Sequence, residues 1–128
     1  MVKEILYRGR TIEELKKLDV REFSKFLPSR TKRSLLRNFD KIEKFIQRCR
    51  KKIEMKKKIR THFRNMIITP QMVGWTINVH NGKEFVPCPI TIEMMGHYLG
   101  EFAYTRKKVE HSAPGIGATR SSAALSVK

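Results

Sequence analysis

Apolar residues recur at three- and four-residue spacing along the first half of the chain and alternate with polar ones beyond it. Ile12 and Leu15 share one face of a short helix opened by Thr11, with Glu14 as its capping-box partner. Asp19 and Glu22 repeat that arrangement. Val20, Phe23 and Leu27 line one face of a second helix, which ends before Pro28. The stretch "SRTKRSLLR", Ser29 to Arg37, sets Leu35 and Leu36 among basic residues. Phe39, Ile42, Phe45, Ile46, Cys49 and Ile53 form the longest apolar stripe, which predicts a helix from Asp40 to about Ile59.

The pattern then changes period. "GWTINVH", Gly74 to His80, alternates and is rich in β-branched residues, and Asn81-Gly82 leads into "KEFVPCPI". Both turn residues tolerate the positive φ of a type I′ turn, so a β-hairpin is predicted here. Pro87 and Pro89 donate no backbone hydrogen bonds, so the second strand is expected to lie at a sheet edge on that side or to end there. A third short strand is expected around Met66 to Thr69. "ITPQMVGW" from Ile68 is echoed by "ITIEMMGH" from Ile90. In each, Thr69 or Thr91 is placed to cap a single helical turn closed by Gly74 or Gly96. The fold class predicted is α+β: a small antiparallel or mixed sheet with short helices, a basic helical N-terminal arm and an extended C-terminal tail.

Charge sharpens this division. The 128 residues suffice for one domain with a modest core, and 28 Lys and Arg face 12 Asp and Glu, a formal net charge of +16. Residues 30–64 hold fifteen basic and three acidic side chains, whereas residues 66–102 hold only Lys83 against Glu84, Glu93 and Glu101. The chain therefore divides into a strongly basic helical region (1–64), a neutral hairpin core (65–106) and a basic tail (107–128). Like charges oppose compaction, so the neutral stretch is read as core and the cationic flanks as binding surface.

So large an excess of cations calls for a polyanionic partner, with nucleic acid first and an anionic membrane surface second. Between Lys44 and Arg64 the only acid is Glu54, which favours phosphate contacts over a merely solvated helix face. A membrane-surface helix would want Trp or Leu on its apolar face, and this one has neither. The candidate RNA-binding residues are Arg30, Lys32, Arg33, Arg37, Lys51, Lys52, Lys56, Lys57, Lys58, Arg60 and Arg64. Lys83, His97, Arg106, Lys107 and Lys108 complete the set.

Nothing in the sequence assembles a catalytic or metal centre. Cys49 and Cys88 lack Cys or His neighbours at zinc-ligand spacing and are read as reduced, buried thiols. His62, His80, His97 and His111 are scattered, and Glu93 and Glu101 fall in different local structures. Gly115 to Gly117 lacks the Lys-Ser/Thr of a phosphate loop. No enzyme activity, metal or cofactor is expected. Trp75 and Tyr98 are read as core or half-buried aromatics rather than stacking platforms. No run approaches the length of a spanning helix, and "MVKEILYRGR" has no apolar segment of the signal-peptide kind.

"NGKEFVPCPITIEMMGHYLGEFAYTR", Asn81 to Arg106, resembles the signature block of the S-nineteen family of small-subunit ribosomal proteins. The elements that carry the likeness are Asn81, Gly82, Lys83, Met94, Gly96, His97, Leu99, Gly100, Glu101, Phe102 and Thr105. "YRG" at Tyr7, "LPSRTKRSLLR" at Leu27 and "VEHSAPGIGATRSS" at Val109 resemble the archaeal and eukaryotic branch in particular. Asn38, where that pattern carries Gly, and Tyr104, where it carries a smaller residue or Pro, depart from it.

The resemblance implies a cytoplasmic protein in the head of the small ribosomal subunit. It also implies binding to the 3′ major domain of the rRNA, with the S-thirteen family protein as neighbour. A C-terminal tail carrying Gly115, Gly117, Thr119, Arg120 and Ser121 would approach A-site tRNA at the decoding site. The alternative is a free-standing, non-specific nucleic-acid-binding or chaperone protein, which explains the charge but requires no particular hairpin.

Overall fold

Four helices and a three-stranded sheet make up the computed structural model, which describes residues 3–110. Helix α1 spans Ile12–Lys17, and the Thr11 hydroxyl accepts from the Glu14 N–H at 3.4 Å. Helix α2, Val20–Phe23, has a closed capping box in which the Asp19 N–H donates to Glu22 Oε2 at 3.1 Å. A 3₁₀ turn at Ser24–Phe26 carries the chain into α3, Ser29–Arg37, and then α4, Phe39–Glu54. Asn38 joins the last two at φ −104°, a conformation open to any residue, and its Nδ2 donates to the Ser34 carbonyl at 3.1 Å. The absence of Gly there therefore leaves the backbone unstrained.

Helix α4 stops five residues before the expected end. Lys56 adopts φ 55°, its N–H donates to the Ile53 carbonyl at 3.0 Å, and the Lys57 N–H donates to the Lys52 carbonyl at 2.8 Å. That pair of bonds is a Schellman termination with lysine in the left-handed position usually held by glycine. Strand β1, Ile59–Thr61, follows at once, so Ile59 belongs to the sheet and not to the helix.

Strands β2 (Thr76–His80) and β3 (Phe85–Pro89) form the predicted hairpin, antiparallel with Thr76 opposite Pro89 and His80 opposite Phe85. β1 pairs in parallel with β2, giving the order β1-β2-β3 with β3 at an edge. The third strand thus comes from residues 59–61, and not from Met66 to Thr69. The latter stretch forms no named strand; it is tied to residues 96–99 by an isolated bridge between Ile67 and Tyr98 and by backbone bonds at Met66 and Ile68.

The connection between β2 and β3 is also not the two-residue type I′ turn. Gly82 alone has positive φ, at 100°, while the Asn81 side chain accepts from the Lys83 and Glu84 N–H groups at 2.9 and 2.8 Å. The short polar side chain organises a four-residue loop.

The echoed segments do make matching turns. 3₁₀ turns at Pro70–Met72 and Ile92–Met94 follow Thr69 and Thr91, with Gly74 and Gly96 beyond them at φ 91° and 81°. Neither threonine hydroxyl caps its turn, and Thr69 Oγ1 is buried without a hydrogen-bond partner. Instead the two segments bind reciprocally across the fold. Ile68 donates to the His97 carbonyl and accepts from the Gly96 N–H, while Ile90 donates to the Trp75 carbonyl and accepts from the Gly74 N–H.

One apolar cluster joins these parts. Leu15, Phe23 and Leu35 from the first three helices and Ile42, Ile46 and Cys49 from α4 pack with Ile77, Val79 and Leu99. The core therefore draws on the basic region as well as the neutral one. The helices contribute an apolar stripe inward and hold their cations outward.

Candidate nucleic-acid interface

Leu35 is buried on one side of α3, which leaves Arg30, Lys32, Arg33 and Arg37 exposed. On α4 the inward stripe of Ile42, Phe45, Ile46 and Cys49 fixes the opposite orientation for Lys51, which is exposed, while Lys52 is half-buried. The left-handed turn at Lys56 then reverses the chain, so that exposed Lys56, Lys57 and Lys58 follow the last helical turn directly. Cations in that last turn also interact favourably with the helix dipole. On β1 the pleat buries Ile59 and Thr61 and turns Arg60 outward.

These side chains have no internal counter-charge. Among the described residues no Lys or Arg lies within 4.0 Å of a carboxylate, and the one close contact between a basic ring and an acid is His97 Nδ1 to Glu101 Oε2, at 2.8 Å. Asp40 and Lys44, spaced i,i+4 on α4, do not come within 4.0 Å of each other either. Several arginines instead rest on aromatic rings. The Arg10 guanidinium lies 4.9 Å from the Phe26 centroid, that of Arg21 4.3 Å from Phe39, and that of Arg60 5.5 Å from Phe85.

The other expected contacts fall in three places. Lys83 is exposed in the hairpin loop, and Arg106, Lys107 and Lys108 are exposed on the irregular segment after Ala103. His97 is exposed but engaged by Glu101. Arg64 departs from the expectation. Its Nη1 donates to the His80 carbonyl at 2.8 Å and its Nη2 to the Gly100 carbonyl at 2.7 Å and to the Ala103 carbonyl. The guanidinium is turned inward as a backbone clamp that joins the last carbonyl of β2 to two carbonyls in and just after the turn at Leu99–Phe102. Gly115, Gly117, Thr119, Arg120 and Ser121 lie outside the described residues.

A cluster that the sequence reading did not assemble sits at the hairpin end of the sheet. The His62 and His80 rings stack with centroids 4.5 Å apart, and Phe85 meets them edge-on at 5.2 and 4.9 Å. His80 and Phe85 flank the hairpin loop as a cross-strand pair, so their contact was available from the register. That of His62 depends on β1 joining β2, which the expected long helix obscured.

Cys49 and Cys88 are free and buried. Burial pushes the Cys49 thiol up to about 11, with Lys52 and Arg48 pulling weakly the other way, and raises that of Cys88 as well. Neither is a reactive thiolate at neutral pH. Among the described residues no group of three or more His, Cys, Asp and Glu is placed to hold a metal ion, and no helix is long and apolar enough to cross a membrane.

Fold and surface together define a class: a small α+β protein with one core and a cationic exterior that finds no counter-charge within the described chain. Residues 25–111 match the family described as ribosomal protein S19. The small ribosomal subunit protein uS19 of the archaeon Saccharolobus solfataricus is 46% identical over 130 residues, covering 98% of this chain and 93% of its own length. The chain belongs to the ribosomal protein S19 family, in its archaeal and eukaryotic branch.

Proposed function

We propose that the chain is a structural constituent of the small ribosomal subunit, bound through its cationic exterior to rRNA of the subunit head, in the 3′ major domain near the A site. The observation that carries this reading is that, among the described residues, no carboxylate partners the lysines and arginines of α3, α4 and residues 56–60. Phosphates would supply the missing charge, and release of their counterions would supply much of the affinity. The small-subunit name of the Saccharolobus relative supports the same assignment. In this reading the role is structural, not enzymatic, and the protein works inside cytoplasmic ribosomes.

The S-thirteen family protein is the proposed neighbour, and the segment 112–128 the proposed approach to A-site tRNA. A free-standing, non-specific nucleic-acid binder would carry the same charge, so sedimentation separates the two. The protein should travel with small-subunit particles at moderate salt, and a particle map at side-chain resolution should place α3 and the Lys56–Lys58 turn against phosphates. Removing residues 112–128 should leave assembly intact and impair A-site tRNA binding. Recovery of the full chain only outside particles would overturn the assignment.

A further inference from the structure

The outward face of the sheet borders an open cleft of about 680 Å³. Its position follows from strand register. Ile59, Ile77 and Cys88 form one row across the sheet and are buried, so the next row, Arg60, Asn78 and Pro87, faces away from the core. The end of α4 and the reversed turn wall the cleft on one side with Lys56, Lys57 and Lys58. Trp75 and Phe85, both half-buried, contribute aromatic surface. Trp75 packs against the core as well as bordering the cleft. The ring of Phe85 is held in place by the edge contact with His80 and by the Arg60 guanidinium. Among the described residues no acidic side chain lines the space.

We infer that this cleft takes an unpaired RNA nucleotide, its base against Trp75 and Phe85 and its flanking phosphates on the three lysines. The inference rests on the RNA-binding reading above and narrows it to a nucleotide class. Aromatic rings beside ammonium groups suit a ligand that carries a π-face and a negative charge on neighbouring atoms. A duplex offers its phosphates but keeps its base faces stacked inside, so it can satisfy the lysines and not the rings. Asn78 keeps the floor firm, since its Nδ2 donates to the Ile59 carbonyl at 3.0 Å and ties β2 to β1.

Trp75 is the sole tryptophan of the chain, so its fluorescence reports on the cleft directly. The full-length protein is titrated with single-stranded oligocytidylate and, separately, with an RNA duplex, following Trp75 emission and the polarisation of labelled RNA. The single strand should quench Trp75 saturably, and the duplex should bind with little quenching. Phe85→Leu, which keeps apolar bulk but removes the ring, should lower single-strand affinity by roughly 5- to 100-fold and leave duplex affinity within about twofold, with Phe85→Tyr restoring binding. Lys57→Gln with Lys58→Gln, which disturbs no core contact, should weaken single-strand binding while leaving the quench at saturation unchanged. Equal quenching by both RNAs, or equal loss of both in F85L, overturns the inference. Tight duplex binding with no quench by the single strand removes the inference alone and leaves the ribosomal reading standing. Failure to bind either RNA removes both.

Discussion

Arg64 and Gly100 hold each other in both directions: the Gly100 N–H donates to the Arg64 carbonyl at 2.8 Å, and Arg64 Nη2 donates to the Gly100 carbonyl at 2.7 Å. A Cβ on residue 100 would stand 2.9 Å from the Arg64 carbonyl oxygen and 3.0 Å from its Cβ. Glycine is thus required by the closeness of a second backbone, in a segment whose own φ is ordinary. The clamp ties the end of β2, through the His80 carbonyl, to the turn at Leu99–Phe102.

Gly100→Ala should cost about 1–3 kcal/mol, as overpacking at a site with no room to yield. Arg64→Lys should cost a similar amount, because a single ammonium cannot span three carbonyls as the planar fork does. Urea unfolding of each variant measures this. Wild-type midpoints would show that the clamp contributes nothing to stability.

At the hairpin loop the cost is conformational. A Cβ at Gly82 has nothing within 4 Å, so the cost expected of Gly82→Val is the strain of φ 100° on a side-chain-bearing residue. The expected loss is about 1–2 kcal/mol with charge unchanged. A comparable loss is expected for Asn81→Ala, which removes the acceptor for two backbone N–H groups. Thermal melts resolve both effects.

Lys56 should behave in the opposite sense. Replacing it by Gly relieves the left-handed strain of a side-chain-bearing residue and should raise stability by about 0.5–1 kcal/mol. The same change should weaken RNA binding. A parallel measurement of melting and RNA affinity therefore separates folding from binding at a single position, and a destabilised K56G protein would contradict the helix-termination geometry.

The buried Cys49 makes stability fall in alkali. Below about pH 9 the thiol is protonated in both folded and unfolded chains. Between about pH 9 and 11 the unfolded chain ionises while the native thiol, held at about 11, does not. The unfolded state is therefore favoured progressively as pH rises, by on the order of 2 kcal/mol when the window is crossed. Unfolding free energy at about pH 8 and about pH 10.5, compared with Cys49→Ala, isolates the effect, since the variant has no thiol at that site. Parallel pH profiles would mean the thiol is not held protonated.

Much of this architecture was legible in short-range patterns. The stripe from Phe39 to Cys49 identified the inward face of α4, and Asn81-Gly82 identified the hairpin. The helix end was misplaced because a lysine, not a glycine, occupies the left-handed position at Lys56. The signal was present all the same. After Ile53 the next positions on the inward face are Lys56, Lys57 and Arg60, so the apolar stripe had already finished, and Ile59-Arg60-Thr61 begins an alternation. Cationic residues were read as binding residues from residue type and local charge excess, and Arg64 shows the limit of that reading. Whether a guanidinium turns inward depends on the carbonyls of His80, Gly100 and Ala103, which no local pattern around Arg64 reveals. The sheet-face cluster of His62, His80 and Phe85 likewise required the parallel pairing of β1.

The claim on which the functional account turns is that the cations at the end of α4 and in the following turn neutralise RNA phosphates. The salt dependence of rRNA binding tests it most directly. Each phosphate contact contributes about −0.7 to −0.9 to the slope of log K against log salt concentration. Replacing Lys51, Lys52, Lys56, Lys57 and Lys58 by Gln should make the slope less steep by about 3.5 to 4.5 if each meets one phosphate, and Lys16→Gln with Lys17→Gln on α1 serves as the comparison for net charge alone. A slope unchanged by the five substitutions would contradict the account, because the lysines would then face solvent and not RNA.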